Sequence, residues 1–372
     1  MKFIFVLRGD VDGLPPVISA VIGLRRLNEN VVLVCERCSS SLQQRLSEFG
    51  VPVICPPDSH MVALKFGFVS RLFKWYRFAW KSIKLIKNID DIIWVASADT
   101  CISLGFQLRN QKYLLQLHEM YAEKAVYRFI LRGFLKSAKL IICPDLFRSS
   151  ILKVWYKLDY FPYVLLNKPI IFNDQLDIDY NNASQAAFDQ IEKICNGRKI
   201  AIYQGHIDSN HRDISLFVKA FEVLRDKWLL ILMGKDHSGL AAELSRNNKD
   251  YVLYINHIDP PYHLNITKLA NLGLMIYSSD SINHIFCAPN KIWEYGRYGI
   301  PFIANNLAGL RQWTEKYQCG LLFDEGNINS ILCVVEEIEK NYNEFSLGAR
   351  QMYDSVDMFK MLRGILSFCS DI

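Results

Sequence analysis

Short apolar runs typical of buried β-strands alternate with segments of helical periodicity along the whole chain, and this alternation limits the possible folds most. The strand candidates of the first half are 2–7, 31–35, 51–55, 92–96, 112–117 and 139–143. Those of the second half read KIAIYQ, LLILMG, YVLYI, LGLMIYS, PFIAN and GLLF. Buried strands joined through helices form parallel sheets with crossover connections. The sequence therefore predicts an α/β protein with two doubly wound, Rossmann-like domains.

The chain length agrees with two domains, because 372 residues exceed the ~100–200 residues of an ordinary domain. Between the two sets of strands, the segment YFPYVLLNKPIIFNDQ contains two prolines and loses helical periodicity. Such a break favours a domain junction, which we expect near 166–172.

The cysteines and the apolar segments indicate the compartment. Ten cysteines lie mostly in apolar runs such as VVLVCE and LIICPD, which is typical of reduced, buried thiols in a cytosolic protein. We expect neither a zinc site nor a disulfide framework. No segment reaches the ~18–20 apolar residues that a bilayer span needs. The N-terminal run MKFIFVLRGD is short and lacks a cleavage site of small residues, so it predicts a first strand and not a signal peptide.

Positive charge is concentrated in the first half. Residues 1–170 carry 24 Lys and Arg against 13 Asp and Glu, a net +11, and the remainder at −6 brings the chain to +5. The stretch 65–87 has no acidic residue, and a helix there places Phe73, Phe78 and Trp80 beside its cations. The stretch 124–139 aligns cations on one helix face, at Lys124, Arg128, Arg132, Lys136 and Lys139.

Cations beside exposed aromatic side chains are typical of a surface that enters an anionic membrane interface. Single-stranded nucleic acid accepts the same composition. A solvated helix face is the third reading, above all for 124–139. The stretches 65–87 and 124–139 therefore predict an anionic partner surface without identifying it.

In parallel sheets, ligands bind beyond the carboxyl ends of the strands. After KIAIYQ come Gly205 and His206, followed by Arg212 and a predicted helix. A glycine turn lets backbone N–H groups approach an anion, and the two side chains add donors, so these residues predict a diphosphate cradle. Gly205 taken alone is more typical of a tight turn between a strand and a helix.

The stretch APNKIWEYGRYGIPFIANN, residues 288–306, places polar residues in the first turns of a helix directly before a strand. Pro289 is suited to open that helix. Lys291 and Glu294 are three residues apart and share one face, where Glu294 could accept hydrogen bonds from two hydroxyls of a ribose. The alternative is a surface ion pair, worth only ~0.2–0.5 kcal/mol.

APNKIWEYGRYGIPFIANNLAGLRQW resembles the nucleotide-sugar signature of GT-B glycosyltransferases of the family-4 type (glycosyl transferases group 1), as in bacterial polysaccharide and glycolipid synthesis. That signature reads Pro-x-Lys-x-x-Glu, a helix, Gly-x-Pro and a glycine-containing loop. The resemblance continues in IYQGHID, LLILMGKD and CGLLFDEGNINSI, and more weakly in YLLQLHEMYAE and KLIICPDLFRSSILKVW.

The resemblance implies a division of labour between two domains that face a central cleft. Residues 1–168 would bind the acceptor and face the membrane, and 169–349 would bind the nucleotide-sugar donor. The C-terminal segment 350–372 would cross back to the first domain. Neither a cofactor nor a metal ion is implied, and the donor, such as a UDP-sugar, is a substrate.

The resemblance also assigns residues. Glu294 would bind the donor ribose, Lys291 and Arg212 would meet the phosphates, and His118 would face the donor sugar. The donor site as a whole would comprise Gly205, His206, Arg212, Asn290, Lys291 and Glu294. For His118, a structural histidine with a satisfied hydrogen bond is an equally good reading of the sequence.

One departure from the family affects the mechanism. Many retaining members have a second glutamate eight positions before the ribose-binding one, and this chain has Phe286 there. Retention or inversion of configuration therefore stays open. Inversion needs a base, for which Asp12, Asp99 and Glu119 at predicted strand ends are candidates. The Asp-Val-Asp of residues 10–12 imitates a metal-binding motif. It lies in the first strand–helix loop, where the GT-B proteins that the chain resembles contact acceptors without metal, so the resemblance argues against a metal site.

The sequence thus predicts a cytoplasmic glycosyltransferase, peripheral at the inner face of the membrane. It would move a sugar from a nucleoside diphosphate to a lipid-linked or growing glycan, and no nucleic acid partner is expected. Two alternatives stay open. One is a sugar-nucleotide epimerase or hydrolase on the same scaffold, and the other is a noncatalytic membrane-associated scaffold.

Overall fold

The computed structural model describes residues 1–56, 76–84, 91–170, 178–208 and 214–370. Its residue contacts divide the chain into two compact units. Unit 1 comprises Met1–Phe172 and Asp357–Ile372, and unit 2 comprises Asn173–Val356. The expected boundaries at 168/169 and 349/350 lie a few residues before these divisions.

Unit 1 is built on a seven-stranded parallel sheet with the strand order β3-β2-β1-β4-β5-β6-β7. Its strands are β1 (Lys2–Asp10), β2 (Asn30–Arg37), β3 (Val53–Ile54), β4 (Ile92–Val95), β5 (Tyr113–Gln116), β6 (Leu140–Cys143) and β7 (Tyr163–Val164). Its helices are α1 (Pro15–Arg26), α2 (Ser40–Glu48), α3 (described over 76–83), α4 (Ala98–Leu104), α5 (Ala125–Ser137) and α6 (Leu146–Tyr156). Two 3-10 turns lie at Val11–Gly13 and Gly105–Leu108.

Unit 2 is built on a six-stranded parallel sheet with the order β10-β9-β8-β11-β12-β13. Its strands are β8 (Lys199–Gln204), β9 (Trp228–Gly234), β10 (Val252–Asn256), β11 (Leu272–Met275), β12 (Phe302–Asn305) and β13 (Gly320–Phe323). Its helices are α7 (Asn182–Cys195), α8 (Ser215–Val223), α9 (Leu240–Asn247), α10 (Leu264–Thr267), α11 (Ile282–Ile285), α12 (Lys291–Arg297), α13 (Ala308–Tyr317), α14 (Ile328–Lys340) and α15 (Tyr342–Asp354). One further helix, α16 (Met358–Ser370), belongs to unit 1.

The prediction of two doubly wound parallel sheets is confirmed. Every residue of the apolar runs in β4 and β9 is buried, as expected for strands with helices on both faces. The sequence did not predict β7, because a strand of two half-buried residues carries no recognisable apolar run.

Each sheet has one point where the strand order reverses. In unit 1 it lies between β1 and β4, and in unit 2 between β8 and β11. The connections that leave the two neighbouring strands run in opposite directions there, which opens a crevice beyond their carboxyl ends. The loops after β1 and β4, and those after β8 and β11, are therefore the places to examine for chemistry.

The C-terminal helix α16 packs on α1 within unit 1. Leu362 is fully buried and fills the space beside Gly23, where a Cβ atom would collide with it. The Tyr163 hydroxyl donates a hydrogen bond to the Met361 carbonyl over 2.7 Å. The preceding helix α15 stays in unit 2, so only the last part of 350–372 returns to unit 1.

The structure corrects the orientation expected for the helix in 65–87, of which residues 76–84 are described. Phe78, expected at the surface, is 7% exposed and packs in the core, whereas Tyr76 is exposed. Trp80 is exposed as predicted. Aromatic residues lie both on the expected apolar stripe and beside it, so helical periodicity alone did not fix which of them turn inward. Phe73 lies outside the described residues.

Removal of the Leu362 side chain tests the packing of α16. Leu362→Ala is expected to lower the free energy of unfolding of unit 1 by about 2–5 kcal/mol, because it leaves a cavity against α1. Phe368→Ala, on the exposed side of the same helix, should change it by only about 0.5 kcal/mol. Urea unfolding of both variants measures the difference, and equal losses would contradict this packing.

Candidate functional site

The crevice of unit 2 is bounded by the tight turn that follows β8. Gly205 has a φ of 127° and Gly234, at the end of β9, a φ of 150°, which side chains with a Cβ rarely adopt. A Cβ atom at Gly234 would also collide with the Gly205 carbonyl oxygen. The two glycines therefore bring backbone directly against backbone at the edge of the crevice. The neighbouring His206 is exposed, with its ring centroid 5.2 Å from that of His237.

Glu294 lies in the first turn of α12 and is held by two side chains. The Gln204 amide donates a hydrogen bond to Oε2, and the His263 Nε2 lies 3.3 Å from Oε1. The Thr267 hydroxyl in turn donates to the Gln204 Oε1 over 2.7 Å. These contacts fix both the rotamer of Gln204 and the plane of the Glu294 carboxylate.

The same contacts keep Glu294 ionised. Burial alone would raise the pKa of its carboxyl, but the neighbouring His263, the Gln204 amide and the Lys291 ammonium outweigh this effect and lower the pKa below its ordinary value. The side chain is still 16% exposed. A carboxylate has about four acceptor positions, and His263 and Gln204 engage one on each oxygen. Glu294 can therefore accept further hydrogen bonds, as two hydroxyls of one ligand would supply.

Lys291, the first residue of α12, is buried and does not lie on an open surface. Its Nζ lies 4.2 Å from the centroid of the Tyr203 ring and 5.7 Å from that of Tyr277. Attraction to aromatic faces stabilises a cation away from water. With Glu294 paired to His263, this geometry differs from the exposed ion pair that was the alternative reading of Lys291 and Glu294.

For the remaining residues predicted for this site, Asn290 and Arg212, the structure gives less information on the side chains. Asn290 precedes α12, and its carbonyl oxygen accepts hydrogen bonds from the backbone N–H groups of Trp293 and Glu294. Arg212 lies outside the described residues. The helix α12 has seven residues and no side-chain cap, so its contribution to the site comes from its side chains.

The glycine-containing loop expected after the Gly-x-Pro motif has a packing role. A Cβ atom at Gly309, in the first turn of α13, would collide with backbone atoms of Cys287. The segment around Phe286 can approach α13 this closely only because Gly309 has no side chain. Gly309 thereby fixes the loop that joins β11 to α12.

Sequence reasoning missed three features of this crevice. Gln204 had a signal, because it is the polar residue that ends an apolar strand. His263 had none, since no motif surrounds it. The third feature is a cluster after β11, formed by Ser278, Asp280 and His284, whose side chains are hydrogen-bonded to one another.

In unit 1, Asp12 lies in the crevice but has a structural partner. Its Oδ2 accepts a hydrogen bond from the Ser39 backbone N–H over 2.8 Å, and its Oδ1 accepts one from the Ser39 hydroxyl. Ser39 is also the N-cap of α2. Asp12 therefore ties the loop after β1 to the start of α2.

Asp99 lies across the same crevice of unit 1, in the first turn of α4. Its Oδ1 accepts a hydrogen bond from the Tyr127 hydroxyl over 2.6 Å and lies 4.0 Å from the Arg8 guanidinium. Burial, together with the bond to Asp99, raises the pKa of Tyr127, so its proton stays in place as a donor. Asp99 and Glu119 are both exposed, and the structure does not bring either together with Asp12.

His118 follows β5 and turns toward the loop after β4. Its Nε2 lies 3.0 Å from the Ala96 carbonyl oxygen, which can only accept, so Nε2 carries a proton. Burial lowers the pKa of His118 to about 4, against the opposing effect of that carbonyl, and the Arg148 charge lowers it further. The ring is therefore neutral at pH 7, with its Nδ1 as an acceptor.

Metal clusters and membrane spans were searched for in the described part of the chain. No group of three or more His, Cys, Asp or Glu side chains in that part is arranged to hold a metal ion. None of the helices described combines the length and the apolar character that crossing a bilayer requires.

Solved structures share this fold over the full chain. HepE of Anabaena, in complex with UDP and glucose, is 13% identical, with both chains covered to 100% and a TM-score of 0.74. WaaG, a glycosyltransferase involved in lipopolysaccharide biosynthesis, is 13% identical, with 100% of both chains covered and a TM-score of 0.65. A Listeria monocytogenes protein provisionally described as a UDP-N-acetylglucosamine 2-epimerase is 12% identical over 98% of this chain and 95% of its own, with a TM-score of 0.65.

The chain therefore has the GT-B glycosyltransferase fold, and the expectation drawn from the sequence is confirmed at that level. No protein-family model matches the chain, and no curated protein is similar to it in sequence.

The protonation of His118 gives a test of unit 1. Its folded pKa of about 4 lies below the ~6.5 of an unfolded chain, so the unfolded state binds the proton first as the pH falls. The stabilisation from the neutral ring is complete above ~6.5 and is lost as the pH falls toward 4. NMR titration of the histidine rings should show a midpoint near 4 for His118. A midpoint near 6.5 would contradict the burial described.

Proposed function

We propose that the protein is a glycosyltransferase that moves a sugar from a nucleoside diphosphate sugar to a glycan acceptor. One observation carries the proposal. An ionised, partly exposed carboxylate, Glu294, is held in a fixed orientation at the point where the strand order of unit 2 reverses, with the cation Lys291 close by. Ligands of doubly wound sheets bind at such points. HepE, which shares the fold, is known in complex with UDP and glucose.

In this proposal unit 2 binds the donor. Glu294 accepts hydrogen bonds from the two ribose hydroxyls, which are matched to its remaining acceptor positions. Lys291 and Arg212 meet the phosphates, and the turn at Gly205 and His206 supplies further donors. Asn290 holds the start of α12 that carries Lys291 and Glu294. Transfer breaks the bond between the sugar carbon and a phosphate oxygen, and cations near that oxygen stabilise the charge that develops on it.

Unit 1 would carry the acceptor. Of the carboxylates at its crevice, Asp12 is engaged by Ser39 through both oxygens, whereas Asp99 and Glu119 are exposed. A base must reach the acceptor hydroxyl directly, so Asp99 and Glu119 suit that role better than Asp12 if configuration is inverted. A neutral His118 would take part as a hydrogen-bonding group and not as a cation.

A lipid-linked acceptor is supported by the surface of α5. Val126, Phe129 and Ile130 are exposed on this helix, Phe129 to 77%, and Arg132 and Lys136 are exposed beside them. On α3, Trp80 is exposed with the Lys84 ammonium 3.4 Å from its ring centroid. Apolar and aromatic groups flanked by cations suit the interface of an anionic membrane. The protein would then act at the inner face of the membrane.

An epimerase or hydrolase would use the same donor site, and the Listeria protein has the same fold. The exposed apolar and basic surface of α5 favours transfer, since neither a hydrolase nor an epimerase needs a membrane-borne acceptor. Product analysis without an acceptor separates these functions. A noncatalytic scaffold, the third candidate, need not bind any nucleotide.

The donor site is tested through Glu294. Glu294→Gln is expected to weaken nucleoside diphosphate binding by roughly 1.5–3 kcal/mol, the value of hydrogen bonds to a charged group. With the unmodified protein, a 2′-deoxynucleotide should bind more weakly than the ribonucleotide by a similar free energy. With the variant the further loss should be small, because both changes remove the same interaction. Titration calorimetry measures the four affinities. Glu315→Gln, an exposed glutamate on α13, is the matched control.

Lys291→Ala distinguishes phosphate from ribose contacts in the same assay. The substitution should lower the affinity for the nucleoside diphosphate strongly and the affinity for the nucleoside only slightly, because the expected partner of Lys291 is phosphate. If affinities were unchanged in both Glu294→Gln and Lys291→Ala, the proposed donor site would be wrong.

The membrane surface is tested on α5. Replacement of Val126 and Phe129 by serine should lower partitioning onto vesicles of anionic lipid about tenfold or more, since two exposed apolar side chains lose their burial in the interface. Binding should also weaken with salt, by up to ~1 kcal/mol for each cation near the surface. Flotation of vesicles measures both effects.

The matched control replaces Val223 and Leu347, two exposed apolar residues of unit 2, by serine. An equal effect of the control pair, or unchanged partitioning of the α5 variant, would refute a membrane role for α5.

A further inference from the structure

A second polar cluster lies beyond β11, in the loop that leads to α12. The Ser278 hydroxyl donates a hydrogen bond to the Asp280 Oδ1 over 2.6 Å and lies 2.8 Å from the His284 Nδ1. The His284 Nδ1 is also 3.3 Å from the same Asp280 oxygen. None of these three side chains has a role in the donor contacts proposed above.

The hydrogen bonds fix which ring nitrogen of His284 carries a proton. Ser278 uses its single proton toward Asp280, so the short contact between Ser278 and the ring requires Nδ1–H as the donor. The nearby Asp280 carboxylate, which can only accept, favours the same arrangement. Nε2 is therefore the ring nitrogen that takes no part in these contacts.

The cluster belongs to the same crevice as Lys291. The Tyr277 ring lies between them, with its centroid 5.7 Å from the Lys291 Nζ and 6.1 Å from the centroid of the His284 ring. α11 packs on α13, whose Arg311 hydrogen-bonds to the Asn306 Oδ1 over 3.0 Å. The His284 side chain is 25% exposed, so a ligand in the crevice can reach it.

We propose that His284 is a catalytic residue of the transfer reaction. Ser278 and Asp280 orient its ring, and the Nε2–H of His284 contacts the donor oxygen that joins sugar and diphosphate. The inference rests on the function proposed above. As the carbon–oxygen bond breaks, both electrons stay on that oxygen, and protonated His284 donates a hydrogen bond or its proton to it. The acceptor oxygen forms the new bond to the sugar carbon, and its proton leaves to a carboxylate or to water.

The role proposed for His284 gives this chain a catalytic group at the donor although Phe286 stands where the resemblance predicts a carboxylate. A general acid at the leaving oxygen contributes typically 10²–10⁴-fold to a rate. The Asp280 carboxylate, itself 57% exposed, orients the ring through Nδ1–H, the orienting role that an aspartate has in hydrolase triads. Asp280 and Ser278 act through His284 and are positioning residues.

The leaving oxygen becomes a terminal oxygen of the β-phosphate in the product, so the contact can be measured without a sugar acceptor. UDP, GDP and ADP are titrated by calorimetry against the full chain, and the one that binds most tightly is used with its monophosphate. We expect His284→Gln to weaken binding of the diphosphate about tenfold or more and to leave binding of the monophosphate unchanged. Measurement in buffers of different ionisation enthalpy should show proton uptake on diphosphate binding near pH 7, lost in His284→Gln and reduced in Asp280→Asn.

Glu315→Gln, an exposed titratable residue of α13 in the same unit, is the control and should behave as the unmodified protein. If Glu294→Gln weakens the diphosphate while His284→Gln changes neither affinity nor proton uptake, the role of His284 is overturned and the donor site stands. If none of the three diphosphates binds the unmodified protein, the proposed function and the role of His284 are overturned together.

Discussion

The parallel pairing of β8 with β11 creates the crevice on which the chemistry of unit 2 depends. Because the strand order reverses at this pair, no crossover helix covers the carboxyl ends of the two strands. Gln204 ends one strand, and the loop with Tyr277, Ser278 and His284 follows the other. The side chains that surround Glu294 are brought together by this topology, although they are up to 90 residues apart in the chain.

An ionised carboxylate that is mostly removed from water is costly unless its lost hydration is replaced. Glu294 meets this condition through His263 and Gln204, and Gln204 is itself held by Thr267. Polar networks of this kind stabilise a fold only when every member is satisfied. A ligand with two adjacent hydroxyls would complete the network, which is the physical reason to place a ribose at Glu294.

The sequence was sufficient for the architecture, because buried parallel strands read as continuous apolar runs and their helices follow at regular spacing. It also singled out Lys291 and Glu294 for the same face of one helix, and their role in donor binding stays a prediction. The sequence did not predict Gln204, His263 or the Ser278 cluster, because their partners come from other segments and no local motif marks them. The inward face of α3 was predicted wrongly at Phe78, because aromatic residues lie both on the expected apolar stripe and beside it. Cys35 and Cys38 have a C-x-x-C spacing, and in the structure both cysteines are free thiols.

Hydrogen exchange of the full chain, with and without UDP, tests most directly that the crevice between β8 and β11 binds a nucleoside diphosphate. Ligand binding slows exchange where it holds backbone or its supporting side chains in place. Protection is expected in the peptides that contain Gly205 and the segment from Tyr277 to Glu294, and uridine should give much less of it around His284 and Lys291. Protection confined to other segments, or none at saturating UDP, GDP or ADP, would contradict this assignment.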